Sequence, residues 1–180
     1  MGAQTARRRR SFLAKGHRDF PVESPRQQQG DIMATSVYKT AIIGRVFFLR
    51  WEAPPSQEEI HTVFQQMKGA HEQLQHPLVL VASLSPKSSV PNSEQRRNLS
   101  TFHSDARPLF TEIHAIVEGN DLQYNLQRVI ISGINLVTRT FDEAFHRVHK
   151  HADLVAPYLG KSLGVDGVKV IEEARARGVV

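Results

Sequence analysis

The sequence predicts an α/β fold: a mostly parallel sheet, edged by an N-terminal β-hairpin and covered by helices on its faces. Three observations predict it. Two segments rich in β-branched and aromatic residues flank Gly44-Arg45, as the arms of a hairpin would. Continuous apolar runs begin at Leu78, Ile113 and Leu136 without the alternation of a half-solvated strand. Segments with apolar residues at helical spacing separate these runs. The expected order is β-β-α-β-α-β-α-β-α, with right-handed crossovers between the parallel strands.

The elements follow in turn. Strands are expected over about 37–43 and 46–52. Ala53-Pro54-Pro55 ends the second, and Ser56 with Glu59 three residues on forms a capping-box pattern that starts a helix. Ile60, Val63, Phe64 and Met67 give that helix an apolar stripe, and it is expected to stop near Gln75, before Pro77. Leu78–Leu84 reads as a central strand, followed by a loop over 85–91. Asn92 or Ser93 caps a second helix over about 94–108, with Leu99, Phe102 and Ala106 facing inward. A strand over 113–117 closes at Glu118-Gly119. Asn120 caps a third helix carrying Leu122, Leu126, Val129, Ile130 and Gly133, where Gly133 marks close packing or an early stop. A short last strand is expected over 136–140 and a fourth helix over 143–158. Gly160, Gly164 and Gly167 punctuate the end, and a terminal amphipathic turn or helix follows.

At 180 residues the chain fits one domain. The expected division is a basic tail over 1–36, the α/β domain over 37–160 and a C-terminal extension over 161–180. With no cysteine, disulfide scaffolds, thiolate metal sites and thiol nucleophiles are excluded. The net charge of +5 is concentrated at one end. Of 23 Lys/Arg and 18 Asp/Glu, seven and three lie in residues 1–32, leaving 16 and 15 for the rest. A body so balanced is a poor phosphate-backbone binder, and nucleic acid is expected only weakly, through the tail. The tail is apolar-poor and is expected to be disordered. Met33 offers a second start, so residues 1–32 read either as a dispensable extension or as an arm or targeting signal. The basic run has no apolar region after it, unlike a secretory signal. No stretch approaches the ~20 apolar residues of a membrane helix. The expected location is cytoplasmic.

The order of elements resembles the STAS fold of sulfate-transporter tail domains and bacterial anti-sigma-factor antagonists. The likeness covers about residues 37–157. It is carried by the hairpin over 38–51, the strand Leu78–Leu84 with its loop, the stretch 113–119, and Arg139-Thr140-Phe141-Asp142-Glu143-Ala144. It depends on the three apolar runs lying side by side as strands. The family places an Asp-Ser-Ser-Gly-like turn before a helix, where a kinase phosphorylates one serine. The matching stretch here, Ser85 to Ser93, has serines but neither the aspartate nor the glycine. Ser88, Ser89 and Ser93 are the phosphorylation or partner-loop candidates that the resemblance implies. As plain loop and cap residues they need no function.

Other constellations are weaker. His146 and His149 would share a face of the fourth helix, with His151 pointing elsewhere, and no carboxylate completes a metallopeptidase-type His-Glu-x-x-His pattern. His61 and His71 fall at one helix's polar margin. His114 with Glu112 and Glu118 is either an acid–base group or a polar rim of one strand face. His103 lies near the end of the second helix. No phosphate-binding glycine motif or Gly-x-Ser-x-Gly elbow occurs, so no cofactor, metal or catalytic residue is expected. Phe47, Phe48 and Trp51 cannot all face one side of a strand. They are covered on both faces by helices, or they present an edge to a partner. Two functions stand. One is a non-enzymatic STAS-like regulatory module that binds a protein, itself or another. The other is a small-ligand-binding domain or enzyme using Ser85, Ser88, Glu118 and Asn120 at the strand C-terminal ends.

Overall fold

The computed structural model describes residues 37–137 and 145–180. Its elements are β1 (Tyr38–Ile43), β2 (Val46–Trp51), α1 (Gln57–Leu74), β3 (Leu78–Leu84), α2 (Ser93–Ala106), β4 (Phe110–Val117), α3 (Asp121–Val137), β5 (His146–His149), α4 (Ala156–Leu163) and α5 (Gly167–Ala176). The fold is α/β, with one five-stranded mixed sheet in the order β1-β2-β3-β4-β5. β1 and β2 pair antiparallel across the Gly44-Arg45 turn, where Gly44 takes φ +57°. β2–β3, β3–β4 and β4–β5 pair in parallel.

Local chemistry sets the boundaries. The Ser56 hydroxyl accepts from the Glu59 N–H, and the Glu59 carboxylate accepts from the Ser56 N–H, so both members of the capping box are made. Asn92 and Gln95 form the same reciprocal pair at the start of α2. α1 ends on Gln75 in the left-handed region, and Pro77 prevents continuation. Asn120 precedes α3, its carbonyl accepting from the Tyr124 N–H at 2.9 Å.

Sequential strand order has a consequence for layering. If each parallel crossover is right-handed, successive helices lie on one side of the sheet. The packing agrees. Ile60, Val63 and Met67 of α1 and Phe102 and Ala106 of α2 pack with Phe47, Leu49, Leu80 and Ile113. The opposite sheet face would then be bare, and the C-terminal segment covers it. Val155, Leu159, Ile171, Ala174 and Val179 pack with Val46, Phe48, Val79, Val81 and Ile116. The Ser83 hydroxyl donates to the Val179 carbonyl at 2.9 Å, tying the C-terminus to the central strand. Phe47, Phe48 and Trp51 are therefore all buried, covered from both sides.

Three expectations fail. The strand expected over 136–140 does not begin at Leu136: Leu136 and Val137 end α3, and residues 138–140 lie outside the described residues. A short apolar run suits a helix or a strand, and here the stripe of α3 simply continues. The helix expected over 143–158 begins outside the described residues and is not continuous within them. It contains the strand β5, a 3-10 turn at Ala152–Leu154 and only the start of α4. Gly133 marks neither a stop nor close packing, because it lies inside α3 with open space where a Cβ would stand. The segment Arg139 to Ala144, cited for the STAS resemblance, lies outside the described residues.

Candidate functional site

Residues that alternate along β2, β3 and β4 project Leu49, Trp51, Leu80, Ala82, Leu84, Ile113 and Ala115 toward the layer of α1 and α2. Ala82 and Ala115 are small side chains in one cross-strand row, and α3 crosses above them with Ile130 and Ile131. The space left encloses about 120 Å³. Its walls are almost wholly aliphatic, aromatic and proline side chains, with Ala53, Pro54, Pro55 and Pro91 at the ends of β2 and the β3–α2 loop. The polar exceptions are Ser88, Ser89, Gln127, His103 and His146.

The sheet register fixes the cavity's direction. Ser88 and the exposed Ser89 follow the C-terminal end of β3, the edge at which parallel sheets commonly present ligand sites. His146 pairs with Ile113, which in turn pairs with Leu80, near the other end, about four residues or ~13 Å along the strands. His103, from the last turn of α2, lies against His146 with ring centroids 5.1 Å apart. Both ring nitrogens of His103 and Nδ1 of His146 are shielded from solvent and have no hydrogen-bond partner. Burial lowers the His103 pKa to about 4, helped by the Arg107 charge. Burial lowers that of His146 to about 3, helped by His103, His114 and His149. Both rings are neutral near pH 7.

A second histidine group occupies the opposite sheet face. His114 Nδ1 and His149 Nε2 are 3.0 Å apart, and Tyr158 of α4 stacks against both rings. Arg147 lies over the Tyr158 ring and bonds Glu112 at 3.1 Å. Glu112 also stands 3.5 Å from His114 Nε2. That contact is not an ion pair near neutrality, because burial, with His149 and Arg147, lowers the His114 pKa to about 3. Burial and Arg147 lower that of His149 too. Electrostatics selects the tautomers. A lone pair on His114 Nε2 would face a carboxylate, so the proton belongs there, and His149 Nε2–H donates to His114 Nδ1. The expected common face of His146 and His149 is corrected: on a strand, positions three apart face opposite sides, and the two belong to different groups. Among the described residues no group of three His, Asp or Glu is placed to hold a metal ion.

The serine candidates divide. Ser85 is buried at the end of β3, its N–H bonded to the Trp51 carbonyl. Ser85, Ser88, Ser89 and Glu118 come together around a neighbouring hollow of about 180 Å³, beside Leu126 and Gln127. Glu118 is held by Arg50 at 3.4 Å. Ser93 lies away from both spaces, at the first position of α2, its hydroxyl accepting from Arg96 at 3.1 Å. Asn120 lines neither cavity and stands at the entry to α3. Sequence reasoning missed the cavity and the pairing of His103 with His146. The available signal was the small pair Ala82 and Ala115 in otherwise bulky strands.

Comparison of the chain with protein-family models, with characterised proteins and with solved structures gives no match. Among the described residues no helix is long and apolar enough to cross a membrane.

Proposed function

We propose that this chain is a small-ligand-binding α/β domain, which takes a predominantly apolar molecule between the sheet and the layer of α1, α2 and α3. The observation that carries this reading is the cavity itself. Ligand sites are concave and mostly apolar with a few polar groups, and a space of about 120 Å³ that is lined almost wholly by apolar side chains beside the exposed Ser89 has that character. Its volume suits a ligand of roughly benzene size, since a dry apolar cavity of about 150 Å³ binds benzene. The test is thermal denaturation with toluene and related small apolar compounds. A ligand at a hundred times its Kd stabilises by about 2.7 kcal/mol. Ala115→Leu fills the cavity, and this variant is expected to fold with a stability cost of no more than about 1–3 kcal/mol and to lose the ligand-induced shift. An equal shift in the filled variant would refute the reading.

A second reading has an observation of its own. Leu122, Leu126 and Val129 recur at helical spacing on α3 and are 78%, 48% and 69% exposed. Three large apolar side chains on one helix stripe support a protein-binding surface and thus the STAS-like regulatory role. The hairpin, the strand at Leu78 and the strand containing Ile113 also favour that architecture. Support for it is narrower than the sequence promised, because the third run, at Leu136, is helical. Changing Leu122, Leu126 and Val129 together to Ser is expected to abolish concentration-dependent association in sedimentation. A wild-type protein that stays monomeric at high concentration would remove self-association from this reading.

A further inference from the structure

The apolar cavity has polar groups at both ends, Ser88 and Ser89 at one and His103 and His146 at the other, and the histidine end is incomplete. A neutral imidazole carries one N–H donor and one acceptor nitrogen, and His103 leaves both unused while shielded from water. Nδ1 of His146 is unused as well, beside it. Buried polar atoms without partners cost about 1–3 kcal/mol each, so three in one place call for a missing partner. No Asp or Glu lines the cavity, whereas Arg107 bears on His103 from the end of α2. The surroundings therefore suit a head group that accepts hydrogen bonds and carries negative charge, and they disfavour a cation. The walls between this end and Ser89 offer an apolar body its place.

We propose that the cavity takes a small monocarboxylic acid head first, its carboxyl group bonded to His103 and His146, with one proton taken up from solvent on binding. This rests on the ligand-binding reading above and adds the chemistry of the head group. The proton balance is simple. A carboxylate ion arrives from water and both imidazoles start neutral, so one proton from the buffer adds to an imidazole nitrogen as a new N–H bond, and apart from that bond only hydrogen bonds form. The charged and titratable groups around the contact are Arg107 on the α2 side and His114 and His149 through the strands, with Arg147 and Glu112 beyond them. His114 and His149 are themselves held neutral, so the proton is expected at His103 or His146.

The experiment is calorimetric titration of the full chain with benzoate, benzyl alcohol and toluene between pH 6 and 8. Benzoate is expected to bind with uptake of about one proton, read from buffers of different ionisation heat, and its Kd to rise about tenfold per pH unit. Toluene and benzyl alcohol are expected to bind with no pH dependence. His103→Leu and His146→Leu should keep toluene binding, which reports an intact cavity, while benzoate binding weakens about tenfold and loses its pH dependence. Toluene binding without benzoate, or benzoate binding with no proton uptake, overturns the head-group assignment and leaves the cavity reading standing. Failure of all three ligands overturns the cavity reading first and this inference with it.

Discussion

His114 is fully buried with one ring nitrogen hydrogen-bonded and the other facing a carboxylate without a hydrogen bond. Its Nδ1 accepts from His149, and its Nε2–H points toward Glu112, whose charge Arg147 already engages. Removing one end exposes the cost. His149→Phe leaves His114 Nδ1 without a donor and is expected to destabilise by about 1–3 kcal/mol in urea denaturation. An unchanged midpoint would contradict the hydrogen bond between the two rings. Gly167 is the other sensitive position. A Cβ there would lie 2.0 Å from the Ala156 carbonyl oxygen, so α5 could not approach α4 as it does. Gly167→Ala is expected to cost about 1–3 kcal/mol by overpacking, measured in the same way. The sequence showed Gly167 only as punctuation, because its constraint comes from a residue on another helix. The histidines were visible as a dense group, yet their partners were not. Spacing of three means one face on a helix and opposite faces on a strand, so the wrong element for His146 and His149 gave the wrong neighbours.

At the scale of elements, local chemistry was the most legible. The Ser56–Glu59 capping box, the Asn92 cap and the Gly44 turn stand where the sequence placed them, since they need nothing beyond their own few residues. Asn92→Ala is expected to cost about 1 kcal/mol, seen as a lower melting temperature, and an unaltered one would mean that the cap is dispensable. β5 was illegible for a physical reason. His-Arg-Val-His has no apolar alternation, and its strand state comes from pairing with β4 and from the polar contacts on its two faces. α3 misled differently. Its apolar residues exceed what one buried face can hold: Ile130 and Ile131 line the cavity while Leu122, Leu126 and Val129 face outward. Sequence pattern reports how much apolar surface an element carries, and only packing reports which part of it is covered.

For the whole molecule, the α/β class followed from the alternation of apolar runs and helical segments, whereas the layer made by α4 and α5 did not. Their residues complete the core over Val46, Phe48, Val81 and Ile116. Removing residues 164–180 would take Ile171, Ala174 and Val179 out of that core and leave only Ala152, Val155, Ala156 and Leu159 from the C-terminal segment, and the truncated chain is expected to lose cooperative unfolding. A cooperative transition with an unchanged midpoint would show that the segment is dispensable. Four neutral histidines, His114 and His149 buried and His103 and His146 half-buried, also give the fold a pH dependence. The pKa values of His103, His114 and His146 fall from 6.5 to about 4, 3 and 3, so the unfolded chain binds protons more readily than the native one. Their full contribution holds above about pH 6.5 and is lost as pH falls toward the folded-state values. In that window the slope is up to about 1.4 kcal/mol per pH unit for each histidine, reduced where the rings interact. Denaturation at pH 7 and pH 5 should show a marked loss at the lower pH, and equal stability would contradict neutral burial.

Methyl resonances of Leu49, Leu80, Ile113 and Ile130, followed by NMR while toluene is added, report occupancy of the cavity at its walls. Saturable shifts at these four, absent from Val79 and Ile171 on the far face and abolished by Ala115→Leu, are the predicted result. Shifts spread evenly over both faces, or none up to the solubility of the ligand, would contradict a binding cavity between the sheet and its helices.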